Sequence, residues 1–228
     1  MKKYYTVFIY VAIWLYLLNV EVNAQTITDI DENAYNIVTI GEQTWMTENL
    51  KVKKYSNGDE IPLVVKSEDW GIQTTGAYCN YYHDESNINP YGRLYNWFAV
   101  VDLRGLCPTG WHVPTIKDWK ALIAFLGGED LAAGKMKSRG NLKEETGLWI
   151  YPNAISEPAC GFNGLPGGYR RADGEFVFMG LYGNFWSSSE YPVVSPKARF
   201  IYLFNQYEFI TLGDWEKTYG FSVRCLKD

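Results

Sequence analysis

Histidine and closely spaced cysteine are scarce in this chain, which excludes several kinds of catalytic site. Only His83 and His112 can serve as histidine bases, and no Cys-x-x-Cys sequence occurs, so neither a dithiol redox site nor a zinc ribbon is expected. The three consecutive serines at residues 187–189 do not lie in the Gly-x-Ser-x-Gly pattern of a nucleophile elbow. His112 lies in an apolar segment, and we expect neither His112 nor Ser187 to be catalytic.

Two kinds of charged site are also missing, a basic cluster and a calcium loop. Lysine and arginine number 21 against 26 aspartates and glutamates, a formal net charge of −5. Nucleic acids are bound through basic surfaces, so no nucleic-acid partner is expected. The acidic run at residues 29–33 has Ala34 and Ile40 where a calcium loop requires Gly and Glu. We expect a solvated, frayed lead-in over residues 25–34, and neither a metal nor another cofactor.

The amino terminus has the pattern of a cleavable secretory signal peptide over residues 1–24. Lys2 and Lys3 precede a nearly uncharged run that is short for a membrane-spanning helix, which needs about 20 apolar residues. Val22-Asn23-Ala24 matches the cleavage positions, so we expect cleavage after Ala24, with an uncleaved anchor as the alternative. Gln25 stands where a lipoprotein would have cysteine. The expected product is secreted, periplasmic or on the cell surface, with no lipid and no membrane span.

Residues 25–228 have the length and composition of a single globular domain. Aromatic residues make up 17% of the chain and glycines number 21. This mixture favours short strands, many turns and amphipathic ring surfaces over a helical bundle. Neither an internal repeat nor a linker divides this part of the chain.

Local patterns predict several elements of this domain. Apolar residues alternate over residues 35–40 and resume at residues 43–46 after a Gly-Glu turn, which predicts a hairpin. Thr115 and Asp118 have the spacing of a capping box, so a helix is expected over residues 115–126. The remaining expected elements are a short helix over residues 129–137, a hairpin over residues 199–212 and a terminal strand over residues 221–225.

Eight blocks along the chain, in order, resemble the Fibrobacter succinogenes major paralogous domain. They are TIGEQTWMTENL, GDEIP, GAYC, YGRLYNWFAV, LCPTGWHVPT, GFNGLPGGYR, YGNFWSSSE and GFSVRC, and they cover about residues 27–228. This family is found in secreted and surface proteins of bacteria and has no established activity. The resemblance therefore implies an exported domain without implying a reaction.

A more distant resemblance is to the formylglycine-generating, sulfatase-modifying type of C-type-lectin-like fold. It is carried by Trp97 ahead of Pro114-Thr115, by Gly183-Asn184-Phe185-Trp186 and by Arg224 in the final segment. The resemblance implies an α+β domain with small twisted antiparallel sheets, two or three short helices and a long loop-rich region. It places helices at about residues 92–101 and 115–126, and it brings the two ends of the domain into one sheet. The oxidases have paired cysteines near the carboxyl end, where this chain has only Cys225, so their chemistry is not carried over.

The cysteines Cys79, Cys107, Cys160 and Cys225 all follow the signal. Four cysteines allow three complete pairings, and the residues alone do not choose among them. If the fold returns its last strand beside the segment that follows Cys107, the sulfurs of Cys107 and Cys225 can meet. We therefore hypothesise a disulfide between Cys107 and Cys225, with Cys79 and Cys160 unpaired. The alternative is that all four thiols are reduced and buried.

Aromatic side chains are the residues best suited to a ligand surface, because Tyr and Trp rings stack at small entropic cost. In the loop-rich second half the candidates are Trp149, Tyr151, Tyr169, Tyr182 and Trp186, whereas Trp45, Trp97, Trp111 and Trp119 are expected in the core. Glu157-Pro158-Ala159 keeps only part of the Glu-Pro-Asn triplet of calcium-dependent lectins, so calcium-dependent sugar binding is not expected.

These observations favour a non-catalytic binding or adhesion module over an enzyme. Its partner would be a glycan or a cell-surface protein, held by aromatic loops between about residues 140 and 215. One alternative is a hydrolase that uses two carboxylates at a suitable separation. Its candidate pairs are Glu144 with Glu145, Asp84 with Glu85, and Asp173 with Glu175. The other alternative is a purely structural surface module.

Overall fold

A computed structural model describes residues 25–155, 159–191 and 195–228 of the chain. The expected signal peptide, residues 1–24, lies outside these ranges, as do Glu157 and Pro158 of the partial lectin triplet. No helix within the described ranges is long and apolar enough to span a membrane.

The fold is α+β, as expected, with short helices and antiparallel sheets. The strands are β1 (Thr26–Thr28), β2 (Ala34–Ile40), β3 (Gln43–Met46), β4 (Tyr78–Cys79), β5 (Leu94–Tyr95), β6 (Trp111–His112), β7 (Tyr169–Arg170), β8 (Phe176–Val177), β9 (Tyr182–Glu190), β10 (Lys197–Phe204), β11 (Thr211–Glu216) and β12 (Leu226–Lys227). The α-helices are α1 (Ser67–Trp70), α2 (Ile88–Tyr91), α3 (Trp97–Val100), α4 (Ile116–Phe125) and α5 (Glu129–Met136), and short 3-10 helices lie at Tyr81–His83 and Glu85–Asn87.

A five-stranded sheet in the order β1-β2-β3-β12-β6 joins the two ends of the described chain. Leu226 of β12 pairs antiparallel with Trp45 on one side and with His112 on the other. The expectation that both ends share one sheet is therefore confirmed. The expected strand over residues 221–225 is wrong, because only Phe221 and Ser222 form single bridges, to Tyr95 and Phe185, and the regular strand begins at Leu226.

Asp29 organises the lead-in that the sequence suggested would fray. Its Oδ1 accepts hydrogen bonds from the backbone nitrogens of Asp31 and Asn33, at 2.9 and 3.0 Å, and its Oδ2 accepts one from the Tyr35 hydroxyl at 2.6 Å. With the turn fixed in this way, β1 pairs with β2. The expectation of a frayed lead-in is wrong, because one buried carboxylate and two backbone hydrogen bonds, from Asp29 to Asn33 and from Glu32 to Asp29, fix the turn.

The helix expected over residues 115–126 is confirmed as α4, with its capping box. The Thr115 hydroxyl accepts from the Asp118 backbone nitrogen at 3.2 Å, and the Asp118 carboxylate accepts from the Thr115 backbone nitrogen at 2.8 Å. The second short helix is likewise present, as α5.

The helix expected over residues 92–101 is wrong except for one turn. Asn96 divides this segment, because its side-chain oxygen accepts from the backbone nitrogens of Ala77 and Ala99. The residues before it pair as β5 with β4, and the residues after it form only the single turn α3.

A three-stranded antiparallel sheet, in the order β11-β10-β9, forms the part of the fold that concerns function. The expected hairpin over residues 199–212 is present as β10 and β11, with the second strand beginning only at Thr211. Tyr202, on the central strand β10, lies opposite Asn184 of β9 and Thr211, the first residue of β11.

Cys107 and Cys225 form a disulfide with their Cα atoms 6.0 Å apart, and Cys79 and Cys160 are free. The hypothesised pairing is confirmed. Because β12 pairs with β6, the end of the chain returns beside the segment that contains Cys107. The bond closes a loop with a sequence separation of 118 residues.

Removing this disulfide should destabilise the fold. For a loop of this length the chain-entropy model gives about 4 to 5 kcal/mol at most, and we expect a loss of about 2 to 4 kcal/mol for the double variant Cys107→Ala, Cys225→Ala. Denaturant unfolding under non-reducing conditions measures the change. Cys160→Ala is the control and should lose less than about 1 kcal/mol; equal losses in both proteins would contradict the prediction.

Candidate ligand-binding surface

The structure places three of the five aromatic candidates inside the protein. Trp149 and Trp186 have no exposed surface, and Tyr169 is buried. The Trp149 indole nitrogen donates to Ser138 Oγ at 3.0 Å, and that of Trp186 donates to the Tyr95 carbonyl at 2.8 Å. The prediction that these three rings bind a ligand is wrong, because they fill the core and both indole donors have internal acceptors. The expected core tryptophans, Trp45, Trp97, Trp111 and Trp119, are all buried.

Two of the candidates remain accessible. Tyr151 is 52% exposed, with the Lys143 ammonium 4.4 Å from the centre of its ring. Tyr182 is half-buried and belongs to β9, where its ring takes part in a larger group of aromatic side chains.

The pleat of β10 sorts its side chains between the two faces of the sheet. Because side chains alternate along a strand, Phe200, Tyr202 and Phe204 share one face, while Ile201 and Leu203 point into the core on the other. The first face is covered at Phe200 and opens towards Phe204, since Phe200 is buried and Tyr202 and Phe204 are half-buried. One end of this face is therefore accessible and aromatic.

Further rings extend this accessible end into a continuous surface. We call this surface the aromatic strip and define it by Phe178, Tyr182, Tyr202, Phe204, Tyr207 and Phe209. Phe178, Tyr207 and Phe209 are each more than two-fifths exposed, at 47%, 46% and 42%.

Each ring of the aromatic strip contacts the next. The Tyr182 ring stacks on Phe204 at 4.6 Å between centroids and lies 5.7 Å from Tyr202 and 5.3 Å from Phe178. Phe204 lies 5.2 Å from Tyr207, which stacks on Phe209 at 4.7 Å. The strip is therefore one apolar surface with phenol hydroxyls, and not a set of scattered exposed side chains.

A packed aromatic layer, in which Trp215 is half-buried, supports the covered end of the same face. The Trp215 ring lies 5.3 Å from Phe200 and 5.1 Å from Tyr169. Gly213 makes room for this layer, since a Cβ at that position would lie 2.7 Å from the Phe200 ring. The strip therefore continues a packed core and has a rigid base.

A polar group with unmet hydrogen-bonding capacity lies in the floor of the strip. Asn184 is directly opposite Tyr202 and only 1% exposed. Its side-chain nitrogen has no hydrogen-bond partner among the residues that the structure describes. Buried polar groups are normally paired, so this amide is an exception beneath the strip.

Lys137 holds the turn that carries the exposed end of the strip. Its side chain is buried, and its ammonium donates to the carbonyls of Phe204, Asn205 and Tyr207 at 3.0, 3.2 and 2.9 Å. Burial lowers the pKa of Lys137 to about 8, which reflects the cost of placing this cation inside the protein. The turn thus depends on an internal cation, and the orientation of Tyr207 depends on the turn.

The strip carries no charge at neutral pH. Burial raises the pKa of Tyr182, so its phenol stays protonated and available as a donor. A ligand of this surface would meet ring faces and hydroxyls, and no ionised group of the strip itself.

The candidate carboxylate pairs take part in local turns and ion pairs. Asp173 and Glu175 both pair with Arg171, at 2.9 and 3.2 Å. Glu144 accepts from the Asn141 side chain at 2.9 Å, and Asp84 accepts from the Ser86 backbone nitrogen at 2.8 Å. Among the described residues no group of three or more His, Cys, Asp or Glu is placed to hold a metal ion.

His112 and Ser187 lie in different settings. The apolar environment expected for His112 is wrong, because its Nδ1 lies 2.7 Å from an Asp228 oxygen and its Nε2 lies 3.5 Å from an Asp118 oxygen. Ser187 is fully buried, and its hydroxyl accepts from the Ser189 backbone nitrogen at 3.1 Å.

The family model of the Fibrobacter succinogenes major domain matches residues 38–227. The chain therefore belongs to this family. No curated protein and no solved structure matches the chain.

Most of the strip was missed by reasoning from the sequence, although one signal was present. Phe200, Tyr202 and Phe204 alternate, and Tyr207 and Phe209 follow in the next turn. A strand with aromatic residues on every second position, followed by an aromatic loop, indicates a ring-covered face. The signal does not show which end of that face is open, because this depends on the packing of Trp215 and Tyr169.

Replacing Lys137 should loosen the exposed end of the strip. Lys137→Met removes the donor shared by three carbonyls, and we expect a loss of about 2 kcal/mol in unfolding free energy together with faster amide exchange at residues 204–208. Lys135→Met is the control, because Lys135 donates to the single carbonyl of Leu126. Equal stability and exchange in the two variants would contradict the role given to Lys137.

Proposed function

We propose that this chain is a non-catalytic binding module that holds a neutral glycan along the aromatic strip. The observation that carries the proposal is the unbroken contact of rings from Phe178 through Tyr182 and Phe204 to Phe209. Monomeric proteins seldom expose contiguous apolar surface without a use for it. Aromatic faces bind the C–H faces of sugar rings, and phenol hydroxyls bind their oxygens.

The chemistry of the strip favours a glycan over a protein partner. Hot spots for proteins are typically anchors in desolvated pockets, often with arginine. The strip is instead an open run of Phe and Tyr rings, with the phenol hydroxyls of Tyr182, Tyr202 and Tyr207 as the polar groups for sugar oxygens. A protein ligand in place of a glycan is one outcome of the test below.

The proposal includes a C-type-lectin-like architecture and export. The shared sheet of the two chain ends supports the architecture, as does the bond at 2.9 Å from the Trp97 indole to the carbonyl of Ser187, the residue just after the Gly183-Asn184-Phe185-Trp186 block of that resemblance. The signal-like amino terminus supports export, and so does the Cys107–Cys225 bond, since disulfides persist in oxidising compartments.

The binding proposal predicts a site-specific loss on removing one ring. Phe209→Ala should weaken binding of a neutral glycan about tenfold, because truncating one well-packed aromatic contact costs roughly 1 to 2 kcal/mol. Glycan-array screening identifies the ligand, and calorimetry measures its affinity. Binding should change little between low and high salt, because the strip is uncharged.

Phe125→Ala is the matched control. Phe125 is a 64% exposed phenylalanine on α4, outside the strip, and its removal should change affinity less than twofold. The proposal fails if Phe125→Ala and Phe209→Ala weaken binding equally. It also fails if no glycan binds, including the case in which only a protein partner binds at the strip.

A further inference from the structure

A second aromatic cleft lies away from the strip, on the other side of the β7–β8 hairpin. It has a volume of about 510 Å³ and is lined by Ser67, Tyr82, His83, Gly174, Glu175 and Phe176. Tyr169 and Val177 of the hairpin pack into the core below the strip, whereas Phe176 packs with a separate cluster around Trp70 and Tyr81. The cleft is therefore a separate surface.

Two adjacent residues of the cleft have a left-handed backbone conformation, which favours glycine. Tyr82 has φ 52° and ψ 19°, and His83 has φ 59°. Left-handed backbone is uncommon for bulky residues and persists only where its surroundings fix it. Here the His83 backbone nitrogen donates to the Asn80 carbonyl at 2.9 Å, and the Asn87 side chain donates to the Tyr81 carbonyl at 3.1 Å.

This conformation turns an aromatic ring outwards beside a polar one. Tyr82 is 63% exposed, and its ring meets Phe176 at 60° with centroids 5.5 Å apart. The His83 ring lies 4.9 Å from Phe176, and its Nδ1 is buried without a hydrogen-bond partner among the described residues. The cleft thus combines two apolar walls with the edge of an imidazole ring.

The surrounding charges select against a charged ligand. The buried Arg170 guanidinium lies 4.9 Å from the centre of the Phe176 ring, which disfavours a cation on that ring. Burial and the charge of Arg170 lower the pKa of His83, so the imidazole is neutral near pH 7. Arg171 is shared by Asp173 and Glu175, so one negative charge remains beside the cleft and disfavours an anion there.

We propose that this cleft is a second ligand site, which binds a single neutral pyranose. The apolar face of the sugar lies on Tyr82 and Phe176, and its hydroxyls reach His83 and Ser67. This site does not depend on the aromatic strip, so it stands or falls separately from the proposed function.

Saturation-transfer NMR on the full protein tests the proposal with the methyl glycosides of glucose, galactose and mannose. Glucosamine and glucuronate serve as the cationic and anionic counterparts. At least one neutral glycoside should bind, with both charged sugars at least fivefold weaker. Tyr82→Ala should weaken that binding at least tenfold, and Tyr82→Phe, which keeps the ring, should stay within threefold of the parent.

Phe125→Ala is the matched control, because Phe125 is an exposed aromatic residue outside both the strip and the cleft. It should leave pyranoside binding unchanged. Tyr82→Gly removes the ring but suits the left-handed backbone, so it should lose binding without lowering the thermal midpoint. The proposal is overturned if no neutral pyranoside binds, if a charged sugar binds more tightly, or if Tyr82→Ala and Phe125→Ala have equal effects.

Discussion

A buried guanidinium, that of Arg224, holds together the parts of this fold that are distant in sequence. Arg224 has no exposed surface, and it donates to the carbonyls of Met46, Phe162 and Asn163 and to the side-chain oxygen of Asn49. Its charge also lies 4.5 Å from the Phe162 ring. Burying a cation is costly unless its donors are satisfied, so the segments that supply these acceptors must come together around it. They are the end of β3 with the residues just after it, and the loop before β7; the final segment of the chain carries Arg224 itself.

The candidate surface follows from that arrangement. In the fixed final segment, the centroid of the Phe221 ring lies 4.3 Å from that of Trp186 and 4.8 Å from that of Phe200. These contacts pack β9 and β10 against the core. The aromatic layer is then covered at Phe200 and continues outwards to Tyr202 and Phe204. Lys137 acts in the same way as Arg224, because its buried ammonium donates hydrogen bonds to carbonyls of the turn after β10. The strip is a rigid surface because both of its ends are fixed from inside.

Local features of the sequence predicted the elements that local chemistry decides. The capping box of Thr115 and Asp118 fixed the start of α4, and alternation with a Gly-Glu turn predicted β2 and β3. The error at residues 92–101 arose because Asn96 caps a helix turn and also binds Ala77, a contact that only the tertiary structure creates.

Which aromatic rings are exposed could not be predicted from the sequence, for the same reason. Trp149 and Trp186 lie in glycine-rich segments that look like surface loops, yet their indoles find acceptors across the fold. Tyr182 is accessible because it lies at the end of β9, opposite Phe204. Which tyrosine or tryptophan is a ligand candidate depends on sheet register and on the packing of neighbouring segments, and neither is a local property.

The central claim is that the aromatic strip is a glycan-binding surface, and shift mapping by NMR tests it most directly. A neutral oligosaccharide that binds should cause saturable changes in the backbone resonances of residues 178–184 and 202–209 and in the Asn184 side-chain amide, with no changes of that size on α4. Saturable changes confined to other parts of the protein, with the strip unaffected, would contradict the account.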